Sequence, residues 1–182
     1  MTRDACWRAV ADDRGAAALE FALIVPVLVL LYALGFEIAE AATVNRKLTD
    51  TTVQLANVTS QYTKVAKSDI STIMNASSQI MAPYPNAVLS MTVSEISIDA
   101  SGNASVTWSE PYLDGIPFQG TGLTTPPTAP PSFQTANSTY IIVQTTYVYS
   151  PIIASNFMAP LTFSNRSFML PRNSASIPCT DC

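Results

Sequence analysis

The chain has 182 residues, only 12% of them charged, with a net charge of −4, a pI near 4.6 and no histidine. The missing histidine excludes Ser-His-Asp and Cys-His catalysis and the His-Glu-x-x-His zinc site. The acidic balance leaves no basic cluster for nucleic acid, and no Gly-rich phosphate loop or dinucleotide fingerprint occurs, so no cofactor, no metal site and no catalytic residue are expected.

The first element is an apolar run from Ala16 to Phe36 in which Glu20 is the sole charged residue. As a helix it would span roughly 32 Å, the thickness of a hydrocarbon core. A carboxylate deep in such a helix costs up to about 3 kcal/mol, so it is expected to be paired, interfacial or functional. The bland reading is an ordinary signal anchor with a stray carboxylate. A cleaved secretory signal ending near Ala39-Glu40-Ala41 is disfavoured because the uncharged run from Phe21 to Phe36 exceeds the usual apolar core of such signals.

Arg14-Gly15-Ala16-Ala17-Ala18-Leu19-Glu20-Phe21, continuing through Ala22-Leu23-Ile24-Val25-Pro26 and closing at Gly35-Phe36-Glu37, resembles the processing site and stem of a TadE-like pseudopilin. Residues Phe168 to Cys179 resemble the tail of the same family more loosely. The resemblance implies a leader over residues 1–15, peptidase cleavage between Gly15 and Ala16, and a register role for Glu20 and Phe21, fifth and sixth in the processed chain. A new α-amino group on Ala16 would pair with a neighbouring subunit's Glu20, favouring correct stagger because an unpaired carboxylate in apolar surroundings is costly. It also implies a bacterial inner-membrane protein of the tight-adherence (Flp/Tad, type IVc) pilus machinery, with a cytoplasmic N-terminus and a periplasmic domain. The implied partners are the prepilin peptidase, other pseudopilins, the assembly platform and the membrane. Flanking charge decides little, with Arg3, Arg8 and Arg14 before the span and Arg46 and Lys47 after it.

These readings divide the chain into a leader (1–15), a transmembrane helix (16–39), a helical stem (40–82) and a β-rich part (83–182) of one α+β domain of ordinary size. In the stem, Val44, Leu48, Thr51, Leu55, Val58, Tyr62 and Val65 recur at heptad-like spacing, either covering the domain's own sheet or packing on another subunit. Ser68 or Asp69 is placed to cap a second helix with Ile70, Ile73, Met74, Ile80 and Met81 on one face, stopped by Pro83 and Pro85.

Beyond the prolines the period changes to two. Leu89, Met91 and Val93 alternate, Ile96 and Ile98 take the other parity, and Ser101-Gly102-Asn103 supplies a turn. Residues 88–108 therefore read as a hairpin with a bulge near Glu95. The proline-rich stretch 111–132 reads as an exposed irregular loop, open to a partner or merely tolerated. Tyr140–Tyr149 reads as a central strand and Thr162–Leu170 as a last one. The expected fold is α+β, a transmembrane helix continuing into a stem and then a small antiparallel sheet with helices on one face.

With Cys6 in the leader, Cys179 and Cys182 remain as a C-x-x-C pair. In the periplasm that the resemblance implies, a short-loop disulfide is the plain reading; neither a thioredoxin-like site nor a four-cysteine zinc site fits. The sequons at Asn57, Asn75, Asn103, Asn137 and Asn165 follow from composition. The function expected is assembly. The alternatives are an uncleaved, membrane-anchored binding or adhesion domain and, below it, an anchored hydrolase using carboxylates among Glu95, Asp99, Glu110 and Asp114.

Overall fold

The computed structural model describes residues 13–153, 155 and 159–182. Helix α1 (Asp13–Thr59) runs without a break through the boundary drawn at residue 39, and by its rise is about 70 Å long. It is already helical at Asp13, the first described residue, so the candidate scissile bond after Gly15 lies in helical backbone; residues 1–12 of the expected leader, with Cys6, lie outside the described residues. Helix α2 (Lys67–Ser78) follows a tight reversal and continues as a 3-10 turn, Gln79–Met81, that ends before Pro83.

A five-stranded antiparallel sheet follows: β1 (Leu89–Ile98), β2 (Ala104–Leu113), β3 (Ile116–Pro117), β4 (Thr139–Tyr149) and β5 (Leu161–Met169), in the order β3-β2-β1-β4-β5. With both helices on one face, the architecture is α+β. The hairpin reaches Leu113, five residues beyond its expected end.

Only the second half of α1 serves the domain. Val44, Leu48, Leu55 and Ala56 are buried against Leu89, Met91, Val93, Ile141 and Val143, with Ile70, Ile73 and Met74 of α2 closing the layer. The threonines trapped in this interface find acceptors: Thr52 Oγ1 donates to the Leu48 carbonyl (2.6 Å) and lies 2.6 Å from Thr145 Oγ1, and Thr59 Oγ1 donates to the Leu55 carbonyl. Such back-bonding removes the desolvation cost of a buried hydroxyl. The heptad-like stripe breaks where the helix does, at Thr59. Val58 is exposed, while Val65 is buried beyond the reversal rather than by helical spacing. Neither Ser68 nor Asp69 is the cap of α2; Ala66 holds that position, and Asp69 at N3 accepts the Ala66 N–H (3.0 Å), half of a capping box.

The bulge lies where expected but on the other strand. Glu95 pairs with Trp108 and Ile96 with Val106, leaving Thr107 as the extra residue of β2. β1 alternates strictly: Leu89, Met91, Val93 and Glu95 face the helices, Ile96 and Ile98 the opposite side. The change of apolar parity along β1 marks the point where the opposite face becomes covered. On β2, Val106, Trp108 and Tyr112 keep one parity and yet divide between the two faces, because Thr107 flips the pleat.

That cover comes from the proline-rich segment, so the reading of 111–132 as an exposed irregular loop holds only in part. Asp114-Gly115, both at positive φ (53° and 83°), turn β2 into β3, the geometry of a two-residue hairpin. Beyond it, Leu123, Ala129 and Phe133 pack on Ile96, Ile98, Tyr140 and Ile142 in a second core, with Phe133, Tyr140 and Phe168 in mutual ring contact.

The C-terminal tail straps this assembly to the helical reversal. Val65 and Cys179 form a parallel bridge, in which the Val65 N–H donates to the Pro178 carbonyl (3.1 Å) and Thr180 N–H to the Val65 carbonyl (3.0 Å). Ile177 is fully buried; its N–H donates to Glu95 Oε1 (2.6 Å) and its carbonyl accepts the Trp108 indole N–H (2.8 Å).

Candidate functional site

The first half of α1 stands clear of the domain. From Ala16 to Phe36 no side chain is buried, and Leu19, Phe21, Leu23, Leu30 and Tyr32 are largely exposed around the whole helix. A helix apolar on every side is at home in a bilayer or between other helices; by length and composition α1 from Ala16 on is able to cross a membrane. Pro26 lies inside it, so the Ala22 carbonyl lacks its helical donor.

Gly15, Ala16, Glu20 and Phe21 are thus brought onto one projecting element. Ala16 and Glu20 are four residues apart on one face, about 6 Å along the axis. Glu20 is exposed and, among the described residues, nothing pairs with it; Phe21 is 70% exposed. Neither residue does anything for the domain's own fold.

Where the apolar run ends, two carboxylates fasten the helix to the domain. Glu37, only 6% exposed, accepts the Tyr149 hydroxyl (3.0 Å) through Oε2 and the Ile153 N–H through Oε1. One turn later Glu40 accepts the Tyr84 hydroxyl (2.5 Å). Burial and the adjoining carboxylate push both Tyr149 and Tyr84 up to about 12, so both remain hydroxyl donors at neutral pH. On the same side, Lys47 Nζ donates to the Ile80 and Ala82 carbonyls (3.1 and 2.7 Å), gripping the end of the 3-10 turn. Sequence reasoning missed this collar. Its signal was two glutamates three residues apart directly after an apolar span, a spacing that places both near one helical face.

Residues 15–57 match the family model described as TadE-like protein. Over those residues helix α1 is similar to that family. The match opens at Gly15 and closes two residues before α1 ends, so it covers the projecting helix, the collar glutamates and the domain-facing stripe, and none of the sheet. No curated protein and no solved structure matches the chain.

Away from the TadE-like stem, the four candidate catalytic carboxylates have separate structural tasks. Glu95, 1% exposed, holds the tail through Ile177; burial raises its pKa against the opposing effect of that N–H. Asp99 accepts the N–H groups of Ser101 and Asn103 (2.8 Å each), which hold its pKa below the usual range and shape the turn at Gly102. Glu110 lies 3.8 Å from Lys67 Nζ, its pKa raised by burial despite that cation. Asp114 forms the β2–β3 turn. Cys179 and Cys182 form a disulfide, with Cα atoms 5.6 Å apart. Asp181 beside them accepts the Lys67 N–H (2.7 Å), tying the pair to the start of α2. The ligand atoms of Cys179, Asp181 and Cys182 lie within 4.8 Å of one another, and in the disulfide the two sulfurs are bonded to each other.

Proposed function

We propose that this chain is a minor pseudopilin that takes part in assembly of a tight-adherence (Flp/Tad, type IVc) pilus after a prepilin peptidase cuts between Gly15 and Ala16. The observation that carries the reading is the TadE-like match over residues 15–57, which begins at the leader's last glycine. The exposure of α1 before Glu37 supports it, because a helix with Glu20 and Phe21 outward and no partner for them among the described residues is shaped to be covered by something other than its own domain.

In this account cleavage creates an ammonium on Ala16, and in a bundle of subunits that ammonium meets the Glu20 carboxylate of a neighbour. Pairing cancels two charges that would each be costly in an apolar bundle, and a wrong stagger leaves both uncompensated. The chain does no covalent chemistry. Its partners are the peptidase, other pseudopilins and the inner-membrane assembly platform, with the folded domain in the periplasm and a role in surface adhesion. The intact mass of the membrane form tests the first step. A chain beginning at Ala16 agrees with the proposal, whereas a mature chain that retains residues 1–15 contradicts it and leaves an uncleaved anchored domain.

A further inference from the structure

We propose that Ile152 and Ile153, directly beyond β4, form a membrane-surface contact, seated in the lipid interface so that the domain rests on the bilayer in a fixed orientation. The inference rests on reading Ala16–Phe36 as a membrane span, independently of any role in a pilus.

This segment is held at the depth where the span ends. The Tyr149 hydroxyl and the Ile153 N–H both bind the carboxylate of Glu37, the first residue after the apolar run. Contacts continue toward the membrane: Leu34, Ile38 and Ala41 of α1 line an apolar cleft of about 170 Å³ with Tyr149, Pro151 and Leu161. Leu34 belongs to the span itself, so the base of the domain reaches the level of the last membrane turn. There Ile152 is 65% and Ile153 53% exposed, and Leu161, which lines the cleft with Pro151, is 38% exposed. Their apolar surface continues that of the exposed helix, for which lipid is the occupant.

Charge is compatible with this placement. The sequence carries no Asp, Glu, Lys or Arg from Gly115 to Asn165, so no ionised side chain of the loop has to be desolvated. Glu37 accepts the Tyr149 hydroxyl at the end of β4 and the Ile153 N–H just beyond it, and Glu40 one turn later accepts the Tyr84 hydroxyl, so both carboxylates at this level are engaged. Neutral apolar side chains at the headgroup boundary gain by leaving water, and the Ile153 N–H already has its acceptor in Glu37. The opposite end of the sheet, with the Asp99–Asn103 turn, is polar and points away, since Leu89 of β1 pairs with Tyr147 while Ile98 lies beside the β1–β2 turn.

Spin labelling of the full-length protein in vesicles of a neutral phospholipid, at low protein density, tests the proposal. With Cys6→Ser to remove the free thiol and the Cys179–Cys182 disulfide kept, labels are attached at Ile152→Cys, Leu28→Cys and Ser101→Cys in turn. Collision with O2, which partitions into lipid, is compared with collision with a water-soluble nickel chelate. The expected result is a ratio at Ile152 shifted away from the Ser101 value toward the Leu28 value. A Leu28 label in lipid with an Ile152 label as wet as Ser101 overturns the surface contact and leaves the span intact. An Ile152 label shielded from both reagents marks a protein interface and overturns the lipid assignment, and a Leu28 label in water overturns the span and the proposal together.

Discussion

Glu95 is the residue that most visibly costs stability in return for order. Its carboxylate is buried, raised in pKa by that burial, and yet committed to the Ile177 N–H. Because the folded pKa lies above the unfolded value, its contribution to stability is fully present below the unfolded pKa and is lost as pH rises through the folded one. Glu95→Gln keeps an acceptor for Ile177 and removes the charge. It should therefore unfold at a higher temperature than the parent at pH 7, with the gap closing as pH falls to about 4. Thermal melts of the detergent-solubilised chain at both pH values check this; a gap independent of pH contradicts it. At the other end of the chain, Gly15→Leu places a bulky side chain at the cut. It should leave the full-length precursor in the membrane, and wild-type and variant bands of equal mass in cells with active peptidase would contradict that.

At the scale of elements, the sequence made legible what is periodic and local: the apolar span, the parity of β1, the aromatic and β-branched run of β4, and the stop at Pro83. It concealed what depends on distant partners. The bulge was readable near Glu95, but which strand carries it depends on where a cover begins on the far face, and that cover was hidden among prolines. Asp114-Gly115 between Leu113 and Ile116 is a strong hairpin signal that the flanking prolines mask. The collar was concealed for the same reason, since Glu37 and Glu40 find Tyr149 and Tyr84 only after the whole domain has folded. Least legible was the tail, where one apolar residue, Ile177, anchors the strap. Ile177→Ala should cost about 2–5 kcal/mol, as for other fully buried aliphatic truncations, and should alter Trp108 fluorescence. Replacing Cys179 and Cys182 together by serine should cost no more than about 2 kcal/mol, since so short a loop removes little chain entropy. Urea titrations of the two variants rank them, and a disulfide loss larger than the Ile177→Ala loss would mean that the covalent link, rather than the buried side chain, holds the strap.

The whole molecule divides its work between two halves of one helix. From Val44 onward α1 is a structural element of an α+β domain whose cores are filled by the chain itself. Before Glu37 the same helix is exposed on every side, and the only charge between Ala16 and Phe36 stands four residues from the proposed new N-terminus. The division predicts that changes in the projecting half leave the domain intact and act on processing or assembly. Glu20→Ala is the sharpest case: it removes a charge from an apolar span and leaves Gly15 in place, so insertion and cleavage should proceed as in the parent. Scoring leader removal and piliation together in one Glu20→Ala strain is the most direct test. The account predicts complete cleavage with lost pili and fewer crosslinks to pseudopilin partners; complete cleavage with normal piliation would contradict it.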